Sequence, residues 1–282
     1  MPLIFTTRLV ALPVAVLLSI CILRPALGHE YWIEPVSHTT EVGAKVVASI
    51  RNGENYDGVS YGFNPGELAS ASRHTRTRDI PLRGRLGDFP AINFEATEPG
   101  YQMLVLQTNP STLDYTSAEK FDRFINFHGL NRFTAQHPEL TEPGAKVRER
   151  YTRYAKSLIF VGKNQSPVAL SKDADQSVDW SRQNLKFEWV LGQSSSASGE
   201  SIALVLLLNG QPLAGRQVEV FHKQGKEVTR SLYKTDEDGS VTVPADVSGR
   251  YLVNSVHAEL VDLNLNLHSI VTDWASLTFA VP

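Results

Sequence analysis

The chain has 282 residues with 27 basic against 30 acidic side chains, and its one cysteine is Cys21. The length supports one large or two medium domains with a sizeable core. The slightly acidic balance argues against nucleic acid or an anionic membrane as the partner.

Residues 1–28 read as a secretory signal peptide. Arg8 supplies the charged start, and the apolar run Leu9–Leu23 is shorter than the ~20 residues that span a bilayer. Ala26 and Gly28 then stand at the small-residue positions a signal peptidase reads. Ile20 is too bulky to precede a lipidated Cys21. Cleavage after Gly28 leaves 254 residues that begin at His29, lack cysteine and carry 25 basic against 30 acidic groups. The expected product is a periplasmic protein, free of the membrane once its signal is removed, with neither disulfides nor thiolate metal sites.

A mainly β chain follows. Glu41–Ile50 alternates, Ile92–Ala96 is short and extended, and Gly100–Thr108 holds the run Met103–Leu106. The period changes between about 114 and 156. Ala118, Phe121, Phe124, Ile125 and His128 mark one face of a helix, and a second helix is expected from Glu142-Pro143 through Tyr151 and Tyr154. Leu158–Val161 returns to strand. The small polar stretch Gly192–Gly199 separates an N-terminal β-rich domain with a helical insertion, residues 29–192, from a C-terminal domain at 199–282.

In that second part Ser201–Leu208, Gln217–Phe221, Ser240–Val243, the strand from Gly249 to about His257, and Trp274–Val281 are strands with turn residues between them. The spacing predicts a β-sandwich. The order Asn209-Gly210-Gln211-Pro212, Val218 and Val220, Thr235-Asp236-Glu237-Asp238-Gly239, then Gly249-Arg250-Tyr251 resembles immunoglobulin-like domains of the prealbumin type. Such a likeness speaks to fold and says little about function.

Conventional catalytic signals are missing: there is no glycine-rich phosphate loop, no Gly-x-Ser-x-Gly elbow and no His-Glu-x-x-His helix. The expectation is a non-enzymatic protein. Histidine is the informative residue. An N-terminal His29 offers its α-amine and imidazole together, a pair suited to copper, nickel or zinc. His257, on the face of its strand shared with Tyr251 and Val253, is the first choice for a second ligand; it also reads as a histidine capping a strand end. His222 follows Val218 and Val220 in the same parity, and Asp273 beside Trp274 is an oxygen donor or a hydrogen-bond partner to a ligand. His128, on the apolar helix face, reads as packed and hydrogen-bonded.

Four segments together resemble domain-of-unknown-function family 4198. They are His29-Glu30-Tyr31-Trp32-Ile33-Glu34-Pro35, the run from Glu149 to Leu158, the run from Leu252 to His257, and the run from Asp273 to Phe279. The resemblance implies a periplasmic component of nickel or cobalt uptake that works beside a membrane metal transporter, with a site centred on His29 and His257. Two other classes stay open at this point. One is an envelope interaction module without metal, and the other is a copper enzyme built on a terminal histidine.

Overall fold

The computed structural model describes residues 29–115, 117–163, 180–192, 201–262 and 267–282. The first half holds β1 (Glu30–Pro35), β2 (Thr39–Thr40), β3 (Lys45–Glu54), β4 (Asp57–Tyr61), β5 (Leu68–His74), β6 (Asp79–Pro81), β7 (Ile92–Glu95), β8 (Gly100–Thr108) and β9 (Ser111–Tyr115). Then come α1 (Ala118–Phe127), α2 (Asn131–Gln136), a 3-10 turn at Pro138–Thr141 and β10 (Val147–Val161). The remainder is β11 (Phe187–Leu191), β12 (Ser201–Leu208), β13 (Gln211–Pro212), β14 (Gln217–Gln224), β15 (Glu227–Lys234), β16 (Ser240–Pro244), β17 (Gly249–Asp262) and β18 (His268–Val281). The fold is mainly β, as expected, and no described helix is long and apolar enough to cross a membrane.

Three sheets are stacked. The central one runs β15-β14-β17-β18-β10-β8-β5-β6, with β2 and β9 also paired to β10. Its odd-numbered β17 and β18 side chains, Tyr251, Val253, Ala275, Leu277 and Phe279, pack against Trp189, Ile202, Leu204 and Leu206 of the sheet β11-β12-β13 with β16. This sandwich core also takes in Met103, Val105, Tyr154 and Leu158 from the first half of the chain. The opposite face carries the sheet of β1, β3, β4 and β7 on one side, through Ile33, Ala48, Leu104 and Ala155. The helices sit beside that sheet, with Phe121, Phe124 and Ile125 against Val256 and Trp274. Alternation in β17 and β18 thus serves two layers at once, which is why both strands are buried without a break from Tyr251 to Ala258 and from Thr272 to Phe279 although polar residues stand among the apolar ones.

Strands from both halves of the chain share the central sheet. β10 pairs in parallel with β18 from Val147↔His268 to Ser157↔Thr278. Residues 193–200 of the expected boundary lie outside the described residues, and the strands flanking them, β11 and β12, are antiparallel neighbours from Phe187↔Leu208 to Leu191↔Leu204.

The helical face from Ala118 to His128 forms as expected, but the second helix does not. Glu142-Pro143-Gly144-Ala145 is a turn closed by the Ala145 N–H to the Glu142 carbonyl at 2.9 Å, with Gly144 at φ +86. That positive φ suits glycine at the third turn position. β10 starts three residues later, so Tyr151 and Tyr154, read at helical spacing, point to opposite faces of one strand.

Candidate functional site

β1 lies edge-on over the central sheet: the Ser276 and Thr278 hydroxyls donate to the carbonyls of Tyr31 and Ile33 at 2.6 and 2.7 Å. Its alternation sends His29 and Tyr31 one way, and Glu30 and Trp32 the other.

On the first side is a cleft of about 330 Å³ lined by His29 and by Tyr31, Tyr61, Tyr151, Asn52, Glu67 and Arg153, among others. His29 stands at its rim, with Nε2 3.3 Å from the Glu54 carboxylate and its side chain 24 % exposed. Arg153 donates to the His29 carbonyl over 3.4 Å, and its guanidinium lies 4.4 Å from the Tyr151 ring centre and 5.7 Å from that of Tyr31. Burial pushes the Tyr31 hydroxyl's pKa well above its ordinary value, with Arg153 opposing, so this phenol stays protonated. Among the described residues no three His, Cys, Asp or Glu side chains converge on one point. A metal ion at this rim would need donors beyond these side chains.

The other expected ligands sit apart. His257 and Asp273 are register partners on β17 and β18, on the face turned to Tyr154 and Phe187. His29 and Arg153 occupy the opposite side of the central sheet. The expected joint ligation by His29 and His257 is thus not formed, because a layer of backbone separates them. His257 Nε2 lies 3.0 Å from Glu259, while Nδ1 is buried without a partner. Burial holds this imidazole below its usual pKa, against the pull of Glu259. Asp273 is already compensated, accepting from Lys186 Nζ at 2.7 Å and from the Tyr154 hydroxyl at 3.2 Å. His222 is opposite Tyr251, six residues from His257 along β17, so about 20 Å separates them. Its Nε2 donates to the Ser248 carbonyl at 3.1 Å and its ring rests on Tyr251, a strand-end role.

On the second side of β1 is a group that the sequence reading missed. Glu30 is fully buried, and neither of its carboxyl oxygens meets a donor. Its pKa is pushed up to about 8, chiefly by burial and then by the negative charge of Glu219. Glu219, also buried, accepts from His128 Nδ1 at 2.9 Å, Asn254 Nδ2 at 2.8 Å and Arg230 at 3.1 Å. Burial alone raises its pKa, but the charge and hydrogen bond of His128, with Asn254 and Arg230, hold it below the usual carboxylate value. His128 is packed and hydrogen-bonded, as its helix face suggested. The available signal for the others was a charged or amide side chain in a core-facing register, Glu30 beside Trp32 and Asn254 between Leu252 and Val256.

Fold and site define a three-layered β protein with a polar, aromatic-walled cleft at the expected mature terminus. The chain belongs to the family described as Domain of unknown function (DUF4198), which matches residues 26–259. No curated protein matches the chain significantly.

Proposed function

We propose that the protein is a periplasmic, non-enzymatic binder of a divalent transition metal (nickel, cobalt or copper) that serves a membrane metal transporter. In this reading signal cleavage frees the His29 α-amine. Amine and imidazole Nδ1 chelate the ion in one six-membered ring, and Glu54, on the far Nε2 side, orients the imidazole. The observation that supports it is the accessible rim position of His29, whose ring is held from its Nε2 side by the Glu54 carboxylate at 3.3 Å, leaving Nδ1 and the amine for an ion. Nitrogen donors suit these borderline cations. His257, His222 and Asp273 do not enter this ligand set.

The test is calorimetric titration of mature protein with Ni(II), Co(II), Cu(II) and Zn(II), beside a form carrying one extra alanine before His29. The extension keeps the imidazole and moves the amine. One tight equivalent in the mature form, mostly lost in the extended form, supports the reading. If neither form binds any of the four ions, metal handling is abandoned in favour of an envelope interaction module.

A further inference from the structure

We infer that the cleft beside His29 receives a small organic acid with a flat apolar body, its carboxylate seated on Arg153. The argument begins with charge. Arg153 lines the cleft and has no carboxylate within ion-pair distance among the described residues; its polar contact is the long 3.4 Å bond to the His29 carbonyl. Several other confined cations are matched by carboxylates, Arg51 by Glu34 at 3.1 Å, Lys156 by Glu188 at 2.6 Å and Arg230 by Glu219 at 3.1 Å, while the buried Arg73 meets the Gln102 amide oxygen and the Phe94 ring outside the cleft. A half-buried guanidinium fixed in place without an anion is an unspent recognition group, since its fork of donors matches a carboxylate in two bonds.

The ring contacts fix its position. With Tyr151 at 4.4 Å and Tyr31 at 5.7 Å, the guanidinium plane is held between two aromatic faces before any ligand arrives. The walls set the ligand's body. Tyr31, Tyr61, Tyr151, Ile50, Leu68 and Leu113 give aromatic and aliphatic surface, and a volume of about 330 Å³ holds a molecule the size of an aryl acid. Glu67 stands on the rim and disfavours a second negative charge. A monoanion is therefore preferred over a dicarboxylate or a phosphate.

This inference does not rest on metal at His29, and its test removes metal. Mature protein in chelator is titrated by calorimetry with phenylacetate, indole-3-acetate and phenylethylamine, tyrosine fluorescence serving as a second readout. The amine has the same ring and reach as phenylacetate with the opposite charge. At least one acid is expected to bind at one equivalent, and the amine is not. Arg153→Gln should weaken the acid roughly tenfold to a hundredfold, the worth of a charged hydrogen-bonded contact. Ser111→Trp is the control for folding. Ser111 is exposed, lies opposite Tyr151 on β9 and lines the cleft, so a tryptophan there fills the space while leaving Arg153 in place. It should abolish binding in a protein with unchanged circular dichroism. The inference is overturned if neither acid binds, if the amine binds as well as the acids, or if Ser111→Trp leaves binding intact. Because each of these is read in chelator, they stand apart from the metal titration.

Discussion

Replacing Glu30 by glutamine should make the protein more stable, and increasingly so as the pH rises. In the folded chain this carboxyl is fully buried and keeps its proton up to about pH 8, against 4.5 for the free group. A folded-state pKa above the unfolded one contributes stability that is complete below 4.5 and lost as pH climbs through 8. At 1.36 kcal/mol per unit, the loss between about pH 5 and about pH 8 is on the order of 3 kcal/mol. Glutamine has nearly the same shape and does not titrate. The assay is urea unfolding of both proteins at several pH values across that range, read as midpoint times slope. The two stability curves should converge near pH 5 and separate steadily above it. Parallel curves would refute the assignment of the proton to Glu30, and with it the account of the Glu30–Glu219 pair as one protonated and one ionised carboxyl.

Other predictions use the same series. His38 is buried with Nδ1 2.8 Å from the Leu158 carbonyl, and burial lowers its pKa to about 4 from 6.5. Its stability contribution is complete above 6.5 and lost as pH falls through 4, about 3 kcal/mol in all, so His38→Gln should flatten the acid limb of the stability profile. Lys156 Nζ donates to Glu188, Ser181 and Trp189 within 2.8 Å in a fully buried setting. Lys156→Met strands the Glu188 charge and should cost about 3–5 kcal/mol in urea unfolding, while the Lys156→Met, Glu188→Leu double variant should recover most of that loss. Phe124 packs with Tyr115, His128 and Trp274 at ring distances of 5.5, 5.3 and 5.9 Å. Phe124→Ala should cost about 3–5 kcal/mol and lower Tm accordingly.

Strand identity was legible wherever apolar period and turn residues agreed. Gly100–Thr108 and Ser201–Leu208 have the bounds their runs suggested, and α1 presents the face its spacing marked. What misled was a pattern compatible with two periods. Tyr151 and Tyr154 are three apart, which fits a helix face and equally fits a strand buried on both sides. Pairing between distant segments was not legible at all. Nothing local in Val147–Ser157 announces β18 as its parallel neighbour, and that pairing puts Arg153 opposite Trp274, on the face away from His257 and Asp273. His29 could be singled out because the expected cleavage would give it two nitrogens. Glu54 could not, since its nearness to His29 comes from the β1–β3 register, Glu30↔Gly53, and no sequence spacing encodes it.

β1 also explains why the two halves of the site are separable by experiment. Six register pairs from Glu30↔Gly53 to Pro35↔Ala48 fix this strand, and buried Trp32 and Ile33 anchor it from both faces. An alanine inserted between His29 and Glu30 leaves those pairs in place. It moves His29 one position outward, about 3.3 Å, and turns its side chain to the other face. The terminal chelate of amine and imidazole survives intact, but Glu54 is out of reach. An alanine added before His29 does the reverse, keeping the imidazole beside Glu54 and removing the amine. On the proposed ligand set the added alanine should cost most of the metal affinity, because it opens the chelate. The inserted alanine should cost roughly tenfold, the share of a carboxylate that orients the ligand imidazole. Both variants should unfold in urea at the midpoint of the mature protein, since neither touches Glu30 or Trp32. Equal affinities in all three proteins would place any bound metal away from the terminus and overturn the His29 reading, whatever the stability data show.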